Sequence, residues 1–262
     1  RNLLDAFNTM TSTTNPQRTR YLAALSLFVF ILLWHGIASW LATPVLPEPI
    51  KVAEVMWSEI YHGDLLHHLG MTLFRLTLSF IIAMILGSAL GILLGRTPTI
   101  DHFFDNWLII FLNIPALVTI ILCYVWFGLS EVAAILAVVV NKLPNVIVTL
   151  REGAKSLDKD LLEMAQSYRL SRKKILTQVI WPQLHPYFMA AARSGIALIW
   201  KIVLVVELLG RSDGMGFQLH LFFQLFDVAS ILAYTLAFIT VIQVIEISVL
   251  KPLDHYGRRW QR

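Results

Sequence analysis

The sequence contains uncharged apolar runs that are too long for the core of a soluble domain. Residues 21–41 include no Asp, Glu, Lys or Arg, and residues 228–250 include only Glu246. A helix of about 20 apolar residues crosses the hydrocarbon core of a bilayer, which is about 30 Å thick. The whole chain is 57% hydrophobic, whereas soluble domains are roughly 45–50% apolar. These runs predict an all-α integral membrane protein.

Six such segments predict about six transmembrane helices. We place them at residues 21–41, 69–95, 105–127, 131–150, 185–209 and 228–250. Pro115 and Pro144 fall inside the third and fourth spans, where neighbouring helices can satisfy the carbonyl groups that a proline leaves free. Two amphipathic helices are predicted outside the spans, at residues 51–61 and 217–226.

The distribution of basic residues predicts the orientation of these helices. If the N-terminus is inside, fifteen of the 21 Lys and Arg residues lie in cytoplasmic segments and two in outside segments. Cytoplasmic loops of membrane proteins carry the excess of Lys and Arg, so the sequence predicts an N-in, C-in topology.

This topology divides the chain into three parts. Residues 1–20 would form a cytoplasmic arm, residues 21–250 the transmembrane domain with a cytoplasmic loop at 151–182, and residues 251–262 a cytoplasmic tail. Because the sequence begins at Arg1 rather than Met, we expect residues before it to be missing.

Several classes of function find no support in the sequence. The net charge of +4 does not indicate nucleic-acid binding, because the basic residues lie between apolar runs instead of on one face. The chain contains no Gly-Lys dipeptide and so no P-loop, which means that it cannot bind ATP by that device. It also has no pair of His, Cys or carboxylate residues at metal-ligand spacing. We expect no catalytic residue, metal or cofactor in this chain.

The polar segment 151–182 predicts a short helix–turn–helix on the cytoplasmic side. Leu161, Leu162 and Ala165 share one face of its first helix. Ser171 would cap the second helix, and Pro182 would end it just before the fifth span. The apolar residues of this segment have no lipid to cover them, so we expect the segment to dock on a partner.

This segment resembles the EAA loop of bacterial ABC importer permeases, whose pattern is Glu-Ala-Ala, three residues, Gly, nine residues and Ile-x-Leu-Pro. Glu163, Met164 and Ala165 occupy the first triplet, Arg169 falls where the Gly is expected, and Pro182 is in register. The loop also lies between the fourth and fifth spans, as it does in that family.

Other stretches are similar to the nitrate, sulfonate, taurine and bicarbonate branch of the same family. These stretches are Leu46 to Pro49, Arg75, Pro115 to Leu117, Trp126 to Glu131, Glu152 with Gly153, Asp158 to Glu163, Arg193, Glu207 to Gly210, and Gly214 to Gly216. Their order and spacing together cover about residues 45–250.

The resemblance implies a type I importer permease (MetI-like) fold in the bacterial inner (plasma) membrane. It further implies a second permease copy in a homodimer, two cytoplasmic ATPase subunits that bind ATP and Mg²⁺, and a periplasmic or lipid-anchored substrate-binding protein. The implied cargo is a small anion such as a sulfonate, nitrate or bicarbonate. The residues that would couple the permease to the ATPase are Asp160, Glu163, Met164, Ala165, Arg169 and Pro182.

The substitution of Arg169 for the expected Gly has two interpretations. Gly at a helix–helix bend commonly supplies a positive φ, and a residue with a Cβ pays roughly 1–2 kcal/mol for that conformation. Either the turn uses a negative φ, or Arg169 contacts the ATPase.

Charged and amide side chains inside the predicted spans are candidates for the substrate pathway. Arg193 and Lys201 lie eight residues apart, near one face of the fifth span, and a cationic lumen would suit an anion. Glu207 is a further candidate, although pairing with Arg193, Lys201 or Arg75 also explains it. Asn113, beside Pro115, is either a pathway or a helix-packing residue.

The sequence leaves two other classes of function and one question about helix packing to consider. An ion-driven secondary carrier or channel would need no ATPase, but the chain shows no internal duplication of the kind common in such carriers. An intramembrane enzyme would need clustered catalytic residues, which are absent from the sequence. Gly87 and Gly91 form a Gly-x-x-x-Gly pair that permits close helix approach, either within the chain or between two copies.

Overall fold

The computed structural model describes residues 16–250 and Pro252, and all its regular secondary structure over that range is helical. Residues 1–15 of the predicted arm and the predicted tail, apart from Pro252, lie outside the described residues, whereas Pro16 to Arg20 already belong to the first helix. The helices are α1 Pro16–Leu41, α2 Pro49–Tyr61, α3 Leu65–Arg96, α4 Pro98–Asn113, α5 Ala116–Phe127, α6 Glu131–Lys155, α7 Lys159–Ser167, α8 Arg172–Gly210, α9 Met215–Gln224 and α10 Val228–Ile245, which continues as a π-helical turn Glu246–Leu250.

Five of these helices, α1, α3, α6, α8 and α10, are individually long and apolar enough to cross a membrane. The pair α4 and α5 passes the same test together and adds a sixth crossing if it forms one span. This architecture confirms the predicted all-α membrane fold with about six spans. The two amphipathic helices predicted between spans correspond to α2 and α9.

The prediction of one helix over residues 105–127 is wrong. The chain instead forms α4 and α5, which meet at a bend of 96°. Pro115 restricts the residue before it to extended backbone, and Ile114 has φ −70° and ψ 124°. Pro144 lies inside α6 without ending it, because the close packing of α6 against α3 holds the helix together on both sides of this proline.

The core of the bundle forms where α6 packs between α3 and α8. Gly87, Gly91 and Gly95 face α6 so closely that a Cβ on Gly91 would lie 2.6 Å from the carbonyl oxygen of Ile147. These glycines therefore pack within the chain, which decides between the two possibilities left by the sequence. On the α8 side, Ile199, Val203 and Val206 pack with Ala134, Ala137 and Val138 of α6.

The two ends of α6 define the two ends of the molecule. Near its start, Glu131 forms an ion pair with Arg75 of α3. Near its end, Arg151 pairs with Asp101 at the beginning of α4, and the chain then enters the segment predicted to be the coupling loop. We call the first end the Arg75 end and the second the coupling end.

Candidate functional site

The coupling segment, residues 156–182, is attached firmly to the coupling end of the bundle. The backbone N–H of Asp158 donates a hydrogen bond of 2.8 Å to Oε1 of Gln183 in α8. Oγ of Ser156 lies 2.9 Å from the hydroxyl of Tyr187, also in α8. The segment is therefore joined to α6, which precedes it, and to α8, which contains its second half.

The short helix α7 begins and packs as its sequence requires. The Asp158 carboxylate caps it by accepting hydrogen bonds from the backbone N–H groups of Asp160, at 2.8 Å, and Leu161, at 3.3 Å. Ala165 is completely buried, and Leu162 packs against the cluster formed by Ala154, Leu157, Ile180 and Leu184. One face of α7 thus anchors the segment and leaves the other face free.

Arg169 adopts the left-handed conformation that a Gly would favour, with φ +50°. The N–H of Leu170 bonds to the carbonyl of Ala165, and the N–H of Arg169 bonds to the carbonyl of Gln166. These two bonds form a Schellman motif, which ends a helix with a residue of positive φ. The hypothesis that this turn uses a negative φ is therefore wrong.

Pro182 does not end a helix, contrary to the sequence-based prediction. The helix that Ser171 caps runs on as α8 through Gly210. Residues Ile175–Ile180 widen into a π-helix, in which the N–H of Trp181 bonds to the carbonyl of Leu176. A π-bulge changes the hydrogen-bond register, and here it does so just before the proline, which lacks an N–H and would otherwise clash with the preceding turn.

The free face of the coupling segment combines acidic and apolar side chains. Asp160 and Glu163 are exposed, and Met164 is 47% exposed. Exposed apolar or aromatic side chains surround them, namely Leu161, Tyr168, Leu176 and Trp181. At the end of the molecule these side chains are available to a protein partner, because a bilayer covers only the sides of the bundle.

A buried charge cluster closes the Arg75 end. Arg75 is 1% exposed, and all five of its N–H groups have acceptors. Two donate to Glu131, at 2.7 and 3.0 Å. One donates to Glu207 at 2.8 Å, and two donate to the side chain and the carbonyl of Asp213. Arg211 adds a second cation, 2.8 Å from Glu131.

The same cluster fixes the loop between α8 and α9. Glu207 is completely buried and also accepts hydrogen bonds from Thr72, at 2.8 Å, and from the backbone N–H of Gly216, at 2.9 Å. Gly214 has φ +104°, and a Cβ there would collide with the Glu207 carboxylate. The predicted pairing of Glu207 with Arg75 is confirmed. The sequence did not indicate Glu131 and Asp213, because only the fold brings them to Arg75.

The other pathway candidates lie elsewhere in the bundle. Asn113 is exposed at the end of α4, and its amide donates to the carbonyl of Ile109 at 2.7 Å. Arg193 and Lys201 are exposed on α8, and the Lys201 ammonium lies 5.4 Å from the ring centre of Trp200. Among the residues that the structure describes, no group of three His, Cys, Asp or Glu side chains is arranged to hold a metal ion.

This combination of a helical membrane bundle with a structured helix–turn–helix between its fourth and fifth spans defines a transporter subunit. Residues 83–250 match the family described as binding-protein-dependent transport system inner membrane component. The chain belongs to this family: it is an inner-membrane permease subunit of an ABC importer.

Several transport permeases are similar to the chain over most of their length. It is 31% identical over 189 residues to the putative aliphatic sulfonates transport permease protein SsuC of Escherichia coli (strain K12), covering 71% of this chain and 72% of that one. It is 28% identical over 202 residues to the taurine transport system permease protein TauC of the same strain, covering 74% of each chain. It is 25% identical over 203 residues to the nitrate import permease protein NrtB of Leptolyngbya laminosa, covering 74% of this chain and 72% of that one.

A solved structure shares the fold. It is described as the crystal structure of an amino acid ABC transporter with histidines, and it superposes with a TM-score of 0.59 at 20% identity. The match covers 78% of this chain and 98% of the other. The predicted family, its sulfonate, taurine and nitrate branch, the permease fold and the inner-membrane location are all confirmed.

Proposed function

We propose that this permease subunit forms the pathway for a small anion and is driven by a separate ATPase subunit that binds the coupling segment. The free face of that segment is the observation that carries the proposal. It presents Asp160, Glu163, Met164 and Arg169 on a rigid turn whose other face is anchored to α8. The assignment of ATP hydrolysis to another chain follows from the lack of a P-loop in this sequence.

The composition of the free face suits a protein partner better than water. Tyr168 is 76% exposed and Leu176 is 56% exposed, and such apolar area gains free energy when it is covered. The Glu163 carboxylate supplies a charge that a basic group of the ATPase can recognise. Charge complementarity of this kind contributes mainly specificity.

The remaining parts of the transporter follow from the family. A permease of a binding-protein-dependent system receives its substrate from a binding protein outside the membrane. We further propose that two copies of this chain form the membrane unit, with two ATPase subunits below it. The names of SsuC, TauC and NrtB refer to aliphatic sulfonates, taurine and nitrate, and the exposed cations Arg193 and Lys201 favour an anion of this kind for the present chain.

Affinity purification from the native membrane in mild detergent tests the coupling proposal. The tagged chain should bring down an ATPase subunit in near-equal amount, as measured by mass spectrometry. Glu163→Lys should abolish this association, because it reverses a charge on the free face. Glu54→Lys is the matched control, since Glu54 is exposed on α2, away from the coupling segment, and this change should leave the association intact.

Two results would contradict the proposal. If Glu163→Lys and Glu54→Lys retained the ATPase equally well, Glu163 would not belong to the contact. If the unaltered chain purified alone and moved solute in liposomes without ATP, an ion-driven carrier or channel would replace the importer.

A further inference from the structure

Lys142 is a buried cation for which the described residues provide no counter-ion. It lies in the interior of α6 and is 1% exposed. Its ammonium group has three N–H donors, and among the described residues it has one acceptor, Oγ of Ser194 in α8, at 3.3 Å. No carboxylate of the described chain lies within ion-pair distance of it. Arg75, in contrast, has an acceptor for every donor.

Burying an ammonium group without a counter-ion costs free energy, because the charge loses its hydration. A buried charge is normally paired and hydrogen-bonded, and an ionisable residue inside a membrane bundle marks a functional site by default. Cε of Lys142 and the ring of Phe80 both lie against Gly195. The packing therefore directs the ammonium towards Ser194.

Ser194 connects this buried charge to an exposed face of α8. Its side chain lies on the same side of the helix as that of Lys201, because seven residues make nearly two turns, and both residues are exposed. Arg193 precedes Ser194 and is exposed as well. Ala190 and Ala197 continue this face with small side chains. We call residues 190, 193, 194, 197 and 201 the α8 face.

We propose that Ser194, backed by Lys142, binds the oxyanion group of the substrate as it passes the α8 face. The Ser194 hydroxyl accepts from Lys142 and donates to the carbonyl of Ala191, 3.1 Å away. An arriving anion would take the place of that carbonyl and accept the hydrogen bond from the Ser194 hydroxyl. The ammonium behind it strengthens this bond, because hydrogen bonds linked to a charge are the stronger ones.

The ligand class follows from the charges and sizes on the α8 face. A sulfonate or nitrate group has several acceptor oxygens and one negative charge, which the Lys142 ammonium can balance. The alanines leave room for such a group beside Ser194. This inference rests on the proposed function, since it assumes that the α8 face lines the pathway.

Charged thiol reagents measure the electrostatic effect of Lys142 at position 194 without any transport assay. Ser194→Cys is made in a Cys123→Ala chain, because Cys123 is the only cysteine. In the purified complex, the rate of a sulfonate-bearing methanethiosulfonate divided by that of a trimethylammonium-bearing one should be about tenfold or more higher at position 194 than for a free thiol in solution, since a charge a few ångströms away in a medium of low dielectric exerts a large effect. Adding Lys142→Met should reduce this rate ratio about tenfold.

Val205→Cys is the matched control on the same helix. Val205 is exposed on α8, about 16 Å along the helix axis from Ser194, and its rate ratio should not change with Lys142→Met. If the thiol at position 194 reacted with neither reagent, the α8 face would not be in contact with water and the proposal would fail. A rate ratio at position 194 that did not change with Lys142→Met would also contradict the proposal.

A second measurement needs no change at Lys142 and so does not depend on how that variant folds. In a Cys123→Ala, Ala197→Cys chain that keeps Ser194, sodium methanesulfonate should slow the labelling of position 197, which is exposed on the α8 face, whereas sodium chloride at equal ionic strength should slow it less than half as much. Equal slowing by both salts would mean simple charge screening and would contradict an oxyanion site. Co-purification of the ATPase is scored separately: if the ATPase were absent while labelling behaved as expected, the anion step would stand and the importer mechanism would fail.

Discussion

Arg169 departs from the family pattern in its side chain, but its backbone keeps the left-handed conformation that the Gly of that pattern favours. The resembled loop has Gly at this position, and the structure retains the left-handed turn with φ +50°. A side chain with a Cβ pays roughly 1–2 kcal/mol for this conformation. The described chain provides no contact that offsets this strain, and we propose that the exposed guanidinium contacts the ATPase.

Arg169→Gly should separate stability from coupling. Removing the Cβ relieves the turn, so thermal unfolding in detergent should require about 1 kcal/mol more free energy. Transport per ATP hydrolysed should fall, because the ATPase loses the guanidinium contact. Unfolding is followed in detergent, and transport per ATP hydrolysed is measured in proteoliposomes that contain the assembled transporter.

Arg169→Asn serves as the control for the backbone effect, because Asn tolerates the left-handed region but carries no charge. It should reduce coupling as much as Arg169→Gly does. Intact coupling in the stabilised Arg169→Gly transporter would eliminate the contact as the reason for the arginine.

For the helices, the sequence predicts positions and caps, which depend on local pattern, and misses bends, which depend on packing against neighbouring helices. The apolar runs located α1, α3, α6 and α10, and Ser171 was correctly expected to cap a helix. Pro115 and Pro144 look alike in the sequence, yet only Pro115 bends the chain. The difference lies in packing, since α6 is held by the glycines of α3 and the α4–α5 junction has no comparable support.

Gly91 of α3 offers a direct test of this packing. A Cβ at Gly91 would come within 2.8 Å of Cβ of Leu150, besides approaching the backbone of α6. Gly91→Ala should therefore push α3 and α6 apart and destabilise the protein by about 1–3 kcal/mol. The midpoint of thermal unfolding in detergent reports the change.

Gly70 provides the matched substitution in the same helix. A Cβ there would meet no atom within 4 Å, so Gly70→Ala should be neutral or slightly stabilising, because Ala favours helix by about 1 kcal/mol over Gly. If the two alanine variants unfolded at the same temperature, the close approach of α3 and α6 would not contribute to stability.

For the whole molecule, the candidate site was only partly readable in the sequence. Motif spacing located the coupling segment, including Asp160, Glu163 and Met164, because those residues are close along the chain. The Arg75 cluster joins α3, α6 and the loop after α8, and the Lys142–Ser194 contact joins α6 to α8. Residues 52 positions apart come together only after the bundle has formed, so no local pattern reveals them.

The ends of α6 show why the bent pair α4–α5 should cross the membrane rather than return to the side where it began. Asp101, near the start of α4, pairs with Arg151 and Lys155 at the coupling end. After α5, the carbonyl of Leu129 accepts from Arg211, which belongs to the Arg75 end. The pair thus connects opposite ends of a helix of 25 residues, about 37 Å long, which exceeds the thickness of the hydrocarbon core.

Single cysteines in a Cys123→Ala chain test this crossing together with the N-in topology. Ser130→Cys should react with a membrane-impermeant maleimide in intact cells, because it lies at the Arg75 end, which the Lys and Arg distribution places outside. Thr97→Cys and Ser167→Cys should react only after permeabilisation, because both lie at the coupling end. If positions 97 and 130 became accessible from the same side, α4 and α5 would form a re-entrant loop, and the chain would cross the membrane five times.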